Sequence, residues 1–205
     1  MRDLVLDLFS GTGSATQPFV ECGKHRVVRV DIAGKPDVRA DVSRFHVSGP
    51  VQFIWASPPC EGFSVAGIPA HWKGHRPDRV ARRSIRLAQA TFRFLAEHPE
   101  ADWIVENPRG LMRKYVPGLT ETVFYCSYGE RRKKPTDLWE SRPFNLARPC
   151  VLHEPGPRGS HALGTTQGYC SGDPRRAMIP RALAEAVHQA VCPKGDRTSE
   201  ENPSP

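Results

Sequence analysis

The feature that most constrains this chain is Pro58-Pro59-Cys60, set directly behind the apolar run Val51-Gln52-Phe53-Ile54-Trp55-Ala56. A run of that length and composition reads as a short buried strand. Neither proline has an N–H to give to a sheet ladder, so the backbone must leave the sheet there. Cys60 is thereby presented on a loop at the carboxyl end of a strand, the edge at which open α/β sheets bind ligands. Taken by itself, the tripeptide also fits a stiff turn around a small buried residue. Its reading depends on the rest of the chain.

Strand patterns near 3–9, 26–31, 51–56 and 102–106 interleave with helical patterns near 14–22 and 79–97. This alternation predicts an α/β fold with a mostly parallel sheet and helices on both faces. Residues 122–126 read as a further strand with 136–139 as its partner, and 180–191 as a final helix with Pro180 in its first turn. Residues 141–176 turn rich in Pro, Gly, Arg and His and predict an irregular, reduced lobe, while 193–205 have the composition of a disordered tail. At 205 residues, one domain over 1–192 is expected. No charged leader precedes a long apolar segment and no span approaches membrane length, so neither secretion nor membrane insertion is indicated. Six scattered cysteines, at 22, 60, 126, 150, 170 and 192, suit reduced thiols in a cytoplasmic compartment.

The formal charge of +7 is unevenly placed. Lys73, Arg76, Arg79, Arg82, Arg83, Arg86 and Arg93 face one acid, Asp78, and Arg131-Arg132-Lys133-Lys134 forms a second cluster. Such clusters are either solvated faces or contacts for a polyanion.

Chemistry-bearing residues recur at predicted strand ends. After the first strand, Asp7-Leu8-Phe9-Ser10-Gly11-Thr12-Gly13-Ser14 supplies glycines that let backbone turn sharply and approach a cofactor. Asp31 ends the next strand, where an acid can accept hydrogen bonds from ribose hydroxyls. Asp41 follows another extended segment and suits either an adenine amino group or a cap. Glycine-rich turn and Asp31 together favour a nucleoside cofactor. Trp103-Ile104-Val105-Glu106-Asn107-Pro108-Arg109 is again a strand entering a polar loop, which puts Glu106 at the same sheet edge as Cys60. A thiolate and a carboxyl group so placed suit attack on an electron-poor heteroaromatic ring. The sulfur adds to a ring carbon while the acid neutralises charge on a ring nitrogen. Alone, Glu106-Asn107-Pro108 is equally a capped turn.

Taken in order, Asp-Leu-Phe-Ser-Gly-Thr-Gly, Asp31, Asp41, Pro-Pro-Cys-Glu-Gly-Phe-Ser and Glu-Asn-Pro resemble the DNA cytosine-5 methyltransferase family over residues 3–110. The resemblance implies a Rossmann-like fold that takes S-adenosylmethionine as cofactor, held by Asp7, Phe9, Ser10, Gly11, Gly13, Asp31, Ile32, Asp41 and Pro58. It implies that Cys60 attacks carbon 6 of cytosine, that Pro59 positions the thiol, and that Glu106, with Asn107 beside it, engages ring nitrogen 3 and the exocyclic amine. The base is flipped from duplex DNA to reach the thiol. Residues 73–93 fall where the family carries a mobile catalytic loop and the following helix, which favours phosphate contact.

The chain also departs from the family. Pro108 stands where valine is usual, and the downstream Gln-x-Arg-x-Arg strand is replaced by 130–136, where Arg132 and Lys134 are the candidates for base contact. Met178-Ile179-Pro180 is similar to the last family motif, but Arg176-Ala177 replaces its Gly-Asn. A full target-recognition domain is missing, as in compact methyltransferase-like proteins of phages, which implies loose sequence preference or a protein partner that supplies recognition. The same chemistry on RNA, single-stranded DNA or a free cytosine nucleotide is the alternative, as is a catalytically silent binder. Cys126, Cys150, His153, His161 and Cys170 are candidate ligands for a zinc-stapled knuckle in the reduced lobe, but their spacing is loose and lacks a paired Cys-x-x-Cys, so no metal site is assigned.

Overall fold

The structure, a computed structural model, describes residues 3–150 and 174–193. The apolar runs become β1 (Asp3–Leu8), β2 (His25–Asp31), β3 (Val38–Arg39) and β4 (Phe53–Ala56). A small separate hairpin, β5 (Trp72–Lys73) and β6 (Arg76–Pro77), precedes β7 (Asp102–Pro108), β8 (Leu119–Phe124) and β9 (Pro135–Glu140). Seven strands form one sheet in the order 3-2-1-4-7-9-8. The first five in that order run parallel, and β9 inserts antiparallel between β7 and β8. This is the Rossmann-like α/β fold that the alternation predicts.

Helices α1 (Gln17–Cys22) and α4 (Arg181–Val191) cover one face, the long α3 (Arg79–Ala96) covers the other, and the single turn α2 (Ile68–His71) precedes the hairpin. The central strands are apolar on both sides, as strands sandwiched between helices must be. Val5, Phe53, Trp55, Ile104 and Leu138 join a core with Phe19 of α1 and Leu183 and Val187 of α4. Their sequence neighbours Leu6, Ile54, Ala56, Val105 and Trp139 join the opposite core with Ala88, Phe94 and Leu95 of α3. The Asp78 carboxylate starts α3 by accepting the Ala81 N–H at 2.9 Å. Arg79, Arg82, Arg83, Arg86 and Arg93 lie on its solvent side.

Several boundaries differ from those expected. Helix α1 begins at Gln17 rather than near 14, because Pro18 is tolerated only in a first turn. The strand expected over 122–126 runs from Leu119 to Phe124, since Tyr125–Tyr128 winds into a 3-10 turn ended by Gly129 at φ 84°. Its expected partner is correct, with Val123 opposite Thr136. Residues 141–150 carry no helix or strand, and 151–173 and 194–205 lie outside the described residues. Among the described residues, no helix is long and apolar enough to cross a membrane.

Asp7, in the middle of the sheet, is 1% exposed, and its Oδ2 accepts the Thr16 hydroxyl at 2.7 Å, which ties the start of α1 to β1. Burial raises its carboxyl from 3.8 to about 7, against the opposing effects of Thr16 and Arg29. A group raised in this way stabilises the fold fully while the unfolded chain also holds the proton, and that stabilisation is lost as pH rises through about 7. Asp7→Asn keeps an acceptor for Thr16 without the charge. In urea denaturation it is therefore expected to gain roughly 2–4 kcal/mol over the parent at about pH 8, and clearly less at about pH 5. An equal effect at both pH values would refute this assignment.

Candidate active site at the switch point

Strand β1 lies where the chain order reverses, with β2 on one side and β4 on the other, and the loops at these carboxyl ends form a crevice. After β1 the backbone takes positive φ at Phe9 (58°), Gly11 (49°) and Gly13 (69°). The turn is closed by the Gly13 N–H on the Ser10 carbonyl at 2.6 Å. Asp31 braces this loop: Oδ2 accepts the Gly11 N–H at 2.9 Å and Oδ1 the Ala33 N–H at 3.0 Å. Each oxygen keeps a second lone pair for a hydroxyl donor. Asp41 caps the 3-10 turn Val42–Arg44, its Oδ1 accepting both the N–H and the hydroxyl of Ser43. Those bonds hold its carboxyl below the usual range. Phe9, Asp31, Ile32, Asp41 and Leu87 line one cleft of about 190 Å³. Its rim leaves Ile32 49% exposed, an apolar surface that a planar base would cover.

The β4 ladder ends as the prolines require: the Ser57 N–H still reaches the Leu8 carbonyl at 3.1 Å, and then the chain leaves the sheet. The Cys60 carbonyl accepts the N–H groups of Phe63 and Ser64 at 2.9 and 2.8 Å, closing a tight turn. Gly62 lets that turn lie against α3, since a Cβ there would sit 2.6 Å from the Ala81 Cα. From β7, Asn107 Nδ2 donates to the Pro58 carbonyl at 2.8 Å, and buried Glu106 accepts the Tyr125 hydroxyl at 3.0 Å. Cys60 and Glu106 line a second cleft of about 230 Å³, together with Asp7, Ser10, Gly11 and Pro58. Phe9, Ser57 and Pro59 line both clefts, which therefore adjoin. Gly13 stays outside both linings, packed against the Arg29 guanidinium. Ala177 and Ile179 complete the second cleft, and the Ile179 N–H donates to the Ser14 hydroxyl at 2.9 Å.

The electrostatics match a thiol at rest. Burial pushes the Cys60 thiol up and Glu106 pushes it further, while Lys134 opposes them. Lys134 is 8% exposed, held at φ 26°, with Nζ on the Arg176 carbonyl at 3.2 Å and 4.2 Å above the Tyr125 ring. Burial lowers its ammonium, and Glu106 and Cys60 partly restore it. Burial and Glu106 push the Tyr125 phenol well above its ordinary value. Arg132 is also buried, but its Nε is held by Glu130 at 2.8 Å, so Lys134 is the cation that bears on the Cys60–Glu106 pair. Beside Asp41, Arg44, Arg83, Arg86 and Arg93 line a groove of about 630 Å³.

Of the candidate zinc ligands near the reduced lobe, Cys126 is buried with its thiol against Cys150, and burial followed by that neighbour pushes it up to about 12. His153, His161 and Cys170 lie outside the described residues. One site residue and one site contact were not legible in sequence. Tyr125 read only as part of a strand, and the Ser14–Ile179 contact spans 165 positions.

No protein-family model matches the chain. The "Probable DNA (cytosine-5)-methyltransferase" of Frog virus 3 (isolate Goorha) is 28% identical over 186 residues, covering 80% of this chain and 86% of that protein. The chain is thus similar to that viral protein over most of the length of both. A solved E. coli structure, of a prophage-encoded protein described as a DNA modification methyltransferase, is 20% identical with a TM-score of 0.46. The match covers 66% of this chain and 45% of that one, so this chain spans less than half of its length.

The Cys60 thiol should respond to its two charged neighbours in opposite directions. Glu106→Gln is expected to speed alkylation of Cys60 by iodoacetamide at fixed pH, and Lys134→Gln to slow it, each by about 3-fold for every half unit moved. Peptide mass spectrometry, with the other cysteines as internal references, reads both. Equal rates in both variants would show that neither charge acts on the thiol.

Proposed function

We propose that the chain transfers a methyl group from S-adenosylmethionine to carbon 5 of cytosine in DNA. The observation that carries this reading is that Cys60 and Glu106 line a cleft continuous, through Phe9 and Pro59, with the cleft of Asp31 and Asp41. The residues fit such a cofactor. Ile32 and Phe9 offer apolar surface to the base, and Asp31 and Asp41 offer acceptors for hydroxyl and amino donors. Ser10, Gly11 and Pro58 border the end nearest Cys60. When bound, S-adenosylmethionine supplies the methyl group.

The protein's own residues do the rest. Pro59 and the Asn107–Pro58 bond hold the Cys60 loop, and the sulfur adds to carbon 6 of the ring. Glu106, oriented by Tyr125 and carrying the proton released as the Cys60 thiol ionises, donates it to ring nitrogen 3, where negative charge would otherwise collect, and carbon 5 becomes nucleophilic. After methylation, loss of the carbon 5 proton expels the thiolate and frees the base. Lys134 supports the thiolate at both stages. The exposed arginines of α3 and the groove beside Asp41 supply phosphate contacts for a polyanionic substrate. Site selection falls to a protein partner or stays loose, and the reaction belongs in the cytoplasm where DNA and donor meet.

With S-adenosylmethionine and duplex DNA containing 5-fluorocytosine, the protein is expected to form a covalent adduct that Cys60→Ser abolishes, because fluorine blocks the final proton loss. No adduct with duplex, single-stranded DNA or RNA would overturn the reading in favour of a silent binder. Replacing Arg83 and Arg86 by Ala should lower the salt dependence of duplex binding by about 0.9 in log–log slope per lost phosphate contact. An unchanged slope would remove α3 from the DNA surface.

A further inference from the structure

The amino end of the sheet, opposite the catalytic loops, gathers four metal-ligating side chains from three elements. Cys22 is the last residue of α1 and His25 the first of β2; His188 lies in the last turn of α4 and Cys192 caps its end. The pattern is Cys-x-x-His in one segment and His-x-x-x-Cys in the other. Ligand atoms of Cys22, His25 and His188 all lie within 4.8 Å of one another, and Cys192 Sγ is 3.3 Å from His25 Nε2. Zinc bonds to sulfur and nitrogen set tetrahedral edges of roughly 3.3–3.8 Å, so Cys22, His25 and His188 must draw together and Cys192, already beside His25, must turn in to complete the set.

The polar atoms here lack the partners that ordinary packing would provide. His25 is 8% exposed, yet its Nδ1 has no hydrogen-bond partner, and the buried His188 Nε2 has none either. Buried imidazole nitrogens left in this way are costly and uncommon. Among the described residues, the Cys22 thiol donates to the Phe19 carbonyl at 3.1 Å. Phe19 also packs edge-on to both imidazoles, with centroids 5.4 and 4.8 Å away, which fixes the ring orientations. Gly23, at φ 68°, makes the left-handed turn that folds Cys22 back toward His25. Two thiols and two imidazoles form a soft donor set that selects zinc over magnesium or calcium.

We propose that Cys22, His25, His188 and Cys192 form a closed structural zinc site that pins α4 to the α1–β2 turn. With four protein ligands, no position remains for a reacting water, so the role is structural. The proposal is independent of the methyl-transfer reading, because the cluster lies at the other end of the strands from Cys60.

The test uses the full chain expressed without a metal-affinity tag. Elemental analysis should find about one zinc per chain. Chelation should lower the thermal midpoint, and added zinc should restore it. Replacement by cobalt should give the strong visible bands of a tetrahedral ion together with a thiolate charge-transfer band. Cys22→Ser with Cys192→Ser should lose the metal, whereas Cys126→Ser with Cys150→Ser should retain it. If the first pair does not fold, the cobalt spectrum of the parent decides by its thiolate band. Parent protein that takes up well under one equivalent, that holds a Cys22–Cys192 disulfide, or that loses metal only in the Cys126/Cys150 variant would overturn the proposal.

Discussion

A proline pair that ends one ladder and an asparagine that replaces it determine where everything else at the catalytic edge can stand. Between β4 and β7 the paired register runs out at Ala56 and Val105, because Pro58 and Pro59 offer no donors to continue it. The Asn107 side chain bridges the gap by donating to the Pro58 carbonyl in a fully buried position. This bond is short, dry and shared by the two strand ends that carry Cys60 and Glu106. Loss of it would leave a buried carbonyl unpaired and let the two loops move separately, which sets a cost of about 1–3 kcal/mol as well as a geometric one. Gly62 against α3 fixes the Cys60 loop from its other side.

Among the described residues, two of the four non-glycine positions with positive φ lie near this bond, the others being His75 and Asn145. Phe9 and Lys134 both hold left-handed backbone that side chains disfavour, and both border the Cys60 clefts or act on their charges. Lys134, Glu106 and Tyr125 are removed from water in one cluster. The consequence is a thiol kept protonated by burial and by Glu106, with one cation working against them.

The central architecture was legible because the central parallel strands are apolar on both faces, and Phe53-Ile54-Trp55-Ala56 can hardly be anything else. Cys60, Glu106, Asp31 and Phe9 stand out in the sequence as candidates because each lies at or shortly beyond the carboxyl end of a strand. Asp41 showed both of its readings at once: it caps a turn and lines the cleft. Helix α1 starts later than the helical pattern predicts because Pro18 is tolerated only in a first turn. Tyr125 was hidden by a turn that no local composition announces, since Thr-Val-Phe-Tyr-Cys has uniform strand character. The metal-ligating cluster was missed for a different reason. Its halves are 160 or more positions apart, while the cysteines and histidines near 126–170 are close in sequence and drew attention instead.

Helix α4 connects these separate features. Its leading segment brings Ile179 onto Ser14 at the catalytic edge, Arg181 pairs with Glu21 on α1, and its end places Cys192 against His25 at the opposite edge. All three contacts join the last described segment to the first thirty residues, and between them Leu183 and Val187 bury against Phe19 and Phe53. Exposed ion pairs such as Arg181–Glu21 contribute little on their own. A helix of eleven residues is also marginal without tertiary support. The wall that Ala177 and Ile179 give to the Cys60 cleft therefore depends on how firmly α4 is held along its whole length. A chain that closes its active site with its final helix needs an anchor at that helix's far end, and the Cys22, His25, His188 and Cys192 cluster stands there.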